Sequence, residues 1–171
     1  MWLKIKIISI VGYSGSGKTH FILNAIKLIK QNLNKEVSVI KFIHEHQIDK
    51  KGKDSYKYSE AGASYSILKN IDNETTIFMK KNADISSIIE WLTNGPYKTD
   101  FIFTEGFREL NYPTVLCVKN FEDVESQITE NVKLISGLIV LKTKNLNHYL
   151  DLPVINIERE FKKFVQIFNI K

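Results

Sequence analysis

The ten residues VGYSGSGKTH, positions 11–20, restrict the fold more than any other stretch of the chain. Gly12, Gly17, Lys18 and Thr19 satisfy the pattern G-x-x-x-x-G-K followed by Ser or Thr. An apolar, β-branched run at 3–11 precedes the loop, and Ile22, Ala25, Ile26 and Ile29 recur after it at helical spacing. The order is therefore strand, glycine loop, helix. Glycines let successive backbone N–H groups face one centre, the helix N-terminus adds partial positive charge, and a lysine ammonium neutralises outer phosphates. The candidate nucleotide-binding set is Gly12, Tyr13, Ser14, Gly15, Ser16, Gly17, Lys18, Thr19 and His20, with the Thr19 hydroxyl directed at magnesium.

EVSVIKF reads as a second strand, and the roughly thirty residues separating its start from that of the first suit a right-handed βαβ crossover. Further on, YKYSEAGAS predicts a short helix and SYSILKNIDNETTIFMKK a hairpin around NIDNE. DISSIIEWLTNG predicts a helix with Asp84 as N-cap, stopped by Gly95 and Pro96. DFIFTEGF, PTVLCVK, SGLIVLK and LPVINI are strand candidates; EDVESQITEN and EREFKKFVQIFN are helix candidates. The expectation is an α/β, three-layer P-loop fold with a mainly parallel, mixed central sheet and an added β-hairpin, forming one nucleotide-binding domain over residues 1–171.

The net charge of +5 is carried by lysine, since the arginines are Arg108 and Arg159 alone. Lysines spread along the whole chain, without one basic face or interleaved aromatics, argue against a nucleic-acid partner. The same shortage of arginine bears on the alternative reading, a small-molecule or nucleotide kinase, whose lid commonly grips phosphates with several guanidinium forks. The single cysteine, Cys117, lies in an apolar run and allows no disulfide framework. No leader or membrane-spanning stretch is expected, so the natural setting is the cytoplasm.

A phosphate loop acting with magnesium needs a carboxylate at the end of a neighbouring strand, and FIFTEGF supplies Glu105. Lys18, Thr19 and Glu105 are thus the core of the expected catalytic and metal set, and Arg108, the arginine nearest to it in sequence, is a candidate for the substrate or second anion together with Lys53, Asp54 and Ser55. The polar stretch at 43–55 is long for a connection. In and just beyond it, Lys50, Lys51, Lys53 and Lys57 cluster beside Gly52, Asp54 and Ser55, an arrangement suited to a second anionic ligand; a solvated surface loop is the competing reading. His44 and His46 read as polar loop residues, not zinc ligands. Guanine is weakly encoded: TKNL at 143–146 begins like the N/T-K-x-D base-reading sequence, but Leu146 stands where the acid belongs.

Taken together, GYSGSGKTH, VIKFIHEHQID, GKDSYKYSEAGA and FIFTEGFR resemble the molybdopterin-guanine dinucleotide biosynthesis protein B family, in the family's order. The resemblance implies a GTP-binding accessory protein with slow magnesium-dependent GTP hydrolysis. It would be a homodimer assisting the molybdenum cofactor guanylyltransferase, with molybdopterin as a further candidate ligand. It carries nucleotide contacts onto the loop from Gly12 to Thr19, a metal or switch role onto Asp49, and a Walker-B-like role onto Glu105. Asp49 is then the best candidate to orient the attacking water. The chain departs from the family at Phe42, His20 and the run His44, Glu45, His46. Independently of the family, the edges of the hairpin strands offer a route to pairing between two chains.

Overall fold

A computed structural model describes residues 5–79, 82–143 and 146–170 of the chain. The elements in order are β1 (Lys6–Val11), α1 (Lys18–Leu33), β2 (Val37–Lys41), α2 (Asp54–Glu60), β3 (Ser66–Lys69), β4 (Thr75–Phe78) and α3 (Ile85–Asn94). They continue with β5 (Phe101–Glu105), β6 (Thr114–Cys117), α4 (Glu122–Glu125), β7 (Val132–Ser136), α5 (Ile139–Lys142), β8 (His148–Tyr149), β9 (Leu152–Pro153) and α6 (Phe161–Ile167). Two compact units arise, one from residues 1–42 with 91–171 and the other from residues 43–90.

The first unit holds a five-stranded sheet in the order β2-β5-β1-β6-β7. Its pairings are all parallel. β5, β6 and most of β1 and β7 are buried and mainly apolar, as strands covered on both faces should be, whereas the edge strand β2 is only partly buried. One face carries Ile8, Ile10, Phe101, Phe103, Val115 and Leu134, packed under α1 through Phe21, Ile22, Ala25 and Ile29 and under α6 through Phe164 and Phe168. Leu116 and Ile135 on the opposite face meet Val124 of α4 and Ile139 of α5. Ser9 and Thr104, paired in register on β1 and β5, are buried and satisfy each other through a 2.9 Å hydroxyl contact.

The antiparallel pairing expected alongside the parallel strands forms two sheets of its own. β3 and β4 form their own ribbon in the second unit, with Ser66 opposite Phe78, and β8 pairs with β9. The turn is organised by Asn70, whose Oδ1 accepts from the backbone N–H groups of Asp72 and Glu74. Asp84 caps α3 as anticipated, its Oδ1 accepting from the Ser87 N–H at 2.7 Å.

Two expectations are corrected. SGLIVLK is not a strand: β7 lies upstream as VKLIS, the chain turns at Gly137 with φ 92°, and Ile139–Lys142 is helical. A short apolar run does not distinguish a buried strand from a buried helix turn. The helix expected over EDVESQITEN is a single turn, Glu122–Glu125, anchored by the fully buried Val124.

Candidate functional site

Parallel pairing places the carboxyl ends of β1 and β5 side by side. Ile10 is opposite Glu105, and Glu105 is opposite Lys41 on β2. β1 thus runs on to Val11, one residue beyond the register position of Glu105, the last residue of β5, before the glycine loop begins. β1 has β5 on one flank and β6 on the other, so the loop opens where the crossovers diverge, the usual position of a ligand crevice in such sheets.

Close packing fixes the loop. A Cβ on Gly12, at φ 148°, would lie 2.1 Å from the Cys117 carbonyl oxygen and 2.6 Å from Ser16 Oγ. Gly17, left-handed at φ 97°, turns the chain into α1. From the far side, the Leu138 N–H donates to the Ser16 carbonyl at 2.9 Å, and a Cβ on Gly137 would stand 2.3 Å from that oxygen. The β7–α5 turn therefore supports the loop. Reading SGLIVLK as a strand hid this role; the Ser-Gly pair was its only sequence signal.

Inside the loop, Lys18 Nζ donates to the carbonyls of Gly12 and Tyr13, each at 2.9 Å. Desolvation lowers the pKa of Lys18 below its ordinary value; Glu105 works against that shift, while Arg108 and Lys41 reinforce it. Ser16 Oγ is buried among the loop atoms with no hydrogen-bond partner. Thr19 Oγ1 donates to Glu105 Oε1 at 3.2 Å, and Lys41 Nζ stands 3.4 Å from the same oxygen. The Glu105 side chain is only 7% exposed. Behind the loop, burial pushes the Cys117 thiol up to about 12.

The residues present fit a phosphate and magnesium. An orphaned buried hydroxyl at Ser16, a cradle closed to any side chain at Gly12, and a hydroxyl beside a buried carboxylate are what such a site requires. Beside the start of α1, a cleft is lined by Gly17, His20, Val140, Leu141, Asn156 and Glu158. His20 is exposed there, with Asn24 Nδ2 at 3.1 Å and Glu158 Oε2 at 3.9 Å.

Of the predicted residues, Gly12 through His20, Glu105 and Arg108 all belong to the first unit. Arg108 donates to Gln127, a contact that the sequence did not reveal. Asp49, Lys53, Asp54 and Ser55 belong to the second. There Asp49 Oδ1 accepts from the buried Ser55 hydroxyl at 2.8 Å, and Lys57 Nζ pairs with Asp54 Oδ1 at 3.3 Å. Lys53 precedes α2 without a side-chain cap. Lys144 and Asn145 of the TKNL sequence lie outside the described residues. Among the described residues no helix is long and apolar enough to cross a membrane.

Comparison with known proteins agrees with this geometry. Residues 7–140 match the family described as molybdopterin guanine dinucleotide synthesis protein B. A molybdopterin-guanine dinucleotide biosynthesis adapter protein of Haemophilus influenzae is 31% identical over 160 residues, covering 91% of this chain and 84% of that one. A putative adapter protein of the same description from Methanocaldococcus jannaschii is 32% identical over 162 residues, covering 84% of this chain and 66% of the relative's length. Among solved structures, Bacillus subtilis MobB superposes with a TM-score of 0.74 at 24% identity, covering 98% of this chain and 99% of that one. The MobB homologue of Bacillus stearothermophilus gives 0.65 at 18% identity, with 95% of each chain covered. The chain belongs to the molybdopterin guanine dinucleotide synthesis protein B family.

Proposed function

We propose that this protein is a GTP-binding adapter of molybdopterin guanine dinucleotide assembly, hydrolysing GTP slowly and assisting a guanylyltransferase partner. The observation that carries the reading is the loop around Ser16: a buried hydroxyl without a partner, backbone closed to side chains at Gly12, and the Lys18 ammonium across its mouth. Burying an unsatisfied hydroxyl costs about 1 to 3 kcal/mol, and a ligand oxygen removes that cost. The biosynthetic role follows from the family and from relatives named as adapter proteins of that pathway.

In this account the loop amides and Lys18 bind the polyphosphate, with Lys18 offsetting charge on its outer end. Thr19 and Glu105 would hold magnesium, which when bound would offset charge on the transferring phosphoryl group. Lys41, whose Nζ stands 3.4 Å from Glu105 Oε1, helps to orient that carboxylate. The cleft lined by His20, Asn156 and Glu158 would receive the nucleoside. In the second unit, Lys53, Asp54 and Ser55 would meet a second anion, for which the phosphate of molybdopterin is the proposed source. Exposed Ile67, Leu68 and Ile77 on the hairpin favour pairing between two copies.

Titration of the protein with GTP and ATP in magnesium tests the nucleotide, and co-purification with the guanylyltransferase tests the partner. Saturable binding that favours GTP is expected; tighter ATP binding would overturn the base assignment.

A further inference from the structure

One of the two arginines is held in an uncommon way. Arg108 Nη2 donates to Gln127 Oε1 at 2.7 Å, and its guanidinium lies 5.3 Å from the centroid of the Tyr13 ring. Gln127 is only 5% exposed, and its Nε2 donates to the Asp123 carbonyl at 2.8 Å. A backbone carbonyl only accepts and a guanidinium only donates, so the two contacts fix which way the amide points. Tyr13, inside the phosphate loop, is tied to the same segment through its hydroxyl, 3.3 Å from Ser126 Oγ. Among the described residues no carboxylate pairs with Arg108, which is itself exposed. A buried neutral amide thus orients the guanidinium while leaving its charge uncompensated beside the loop. That charge also acts on Lys18, opposing its protonation.

Packing alone does not explain this arrangement. A carboxylate at position 127 would hold an arginine more tightly. A neutral holder suits an arginine whose charge is reserved for another anion.

We propose that Arg108, positioned by Gln127 and Tyr13, contacts the terminal phosphate of the bound nucleotide and so distinguishes triphosphate from diphosphate. The proposal rests on the nucleotide-binding reading above. Its chemistry is a guanidinium fork on phosphoryl oxygens, and its consequence is that α4, which ends beside Gln127, experiences the difference between the two nucleotide states.

The test is calorimetric titration of the full chain with a non-hydrolysable GTP analogue and with GDP, both with magnesium, on wild type, Arg108→Ala, Gln127→Leu and Gln127→Glu. Loss of one charge-assisted phosphate contact predicts that Arg108→Ala weakens triphosphate binding roughly 10- to 100-fold while diphosphate binding changes less than about threefold. Gln127→Leu should shift the ratio in the same direction by a smaller factor. Gln127→Glu is decisive, because it keeps a partner for Arg108 yet neutralises its charge, at the cost of the Nε2 bond to the Asp123 carbonyl; selectivity for triphosphate should fall although Arg108 is still held. Equal weakening of both nucleotides, or an unchanged ratio in Arg108→Ala, would overturn the proposal while leaving nucleotide binding intact. Failure of the wild type to bind either nucleotide would overturn both readings.

Discussion

Gly12 bears the tightest constraint in the loop, because a methyl group there would overlap the Cys117 carbonyl oxygen at 2.1 Å. The substitution Gly12→Ala is expected to destabilise the fold by about 2 to 3 kcal/mol through overpacking and backbone strain, as read from urea denaturation. Lys18 has a pH signature whose sign is fixed by its environment. Desolvation lowers its pKa in the free protein, so the folded state carries a penalty below that lowered value, and the penalty is relieved as pH rises toward 10.5. A bound polyphosphate acts in the opposite sense by favouring the ammonium. GTP affinity should therefore fall as pH rises through the lowered pKa, with proton uptake on binding in that range. Titrations across buffers of different ionisation enthalpy measure this; affinity that rises with pH in that window would contradict it. At this scale the sequence was informative: the spacing of Gly12, Gly17, Lys18 and Thr19 located the loop, and Glu105 lies within 3.2 Å of Thr19. Gln127 was not legible, because nothing local marks a buried glutamine as the holder of an arginine nineteen positions away.

Elements stand or fall on tertiary packing. α6 has only seven residues, too short to persist alone, and is held by Phe164, which is fully buried with its ring 5.9 Å from Phe21 and 5.0 Å from Phe168. Phe164→Ala is expected to cost about 3 to 5 kcal/mol, visible as a lower denaturation midpoint without a new transition. The hairpin presents the opposite case. Ile67 is 62% exposed and Ile77 41%, on strands whose outer edges pair with nothing among the described residues. If these edges join two copies, the double substitution of Ile67 and Ile77 by Lys should convert a dimer to a monomer in light scattering. A wild type that is already monomeric would refute the homodimer. Elements with a long or alternating pattern, such as α1 and the β3–β4 ribbon, were readable from the chain. α5 was not, because its four residues carry an apolar run that fits strand and helix equally, and the deciding event is the left-handed turn at Gly137.

For the whole molecule, strand order does what no local pattern can. Placing β1 between β5 and β6 brings residues 12–19, 105 and 137 to one end of the sheet, although they are scattered through the sequence. The parallel crossover was foreseeable from the spacing of the first two strands; the neighbours of β1 were not, since strand order is set by long-range packing. Family membership rests on a match over residues 7–140, most of the first unit and all of the second. The central claim is that the glycine loop holds the polyphosphate of GTP, and its most direct measurement is calorimetric titration of wild type and Lys18→Ala with GTP and magnesium. One site per chain is predicted for the wild type, with affinity reduced about a hundredfold or more in the variant as its charge-assisted contacts to phosphate are lost. Equal affinity in the two proteins, or no binding by a folded wild type, would contradict the account.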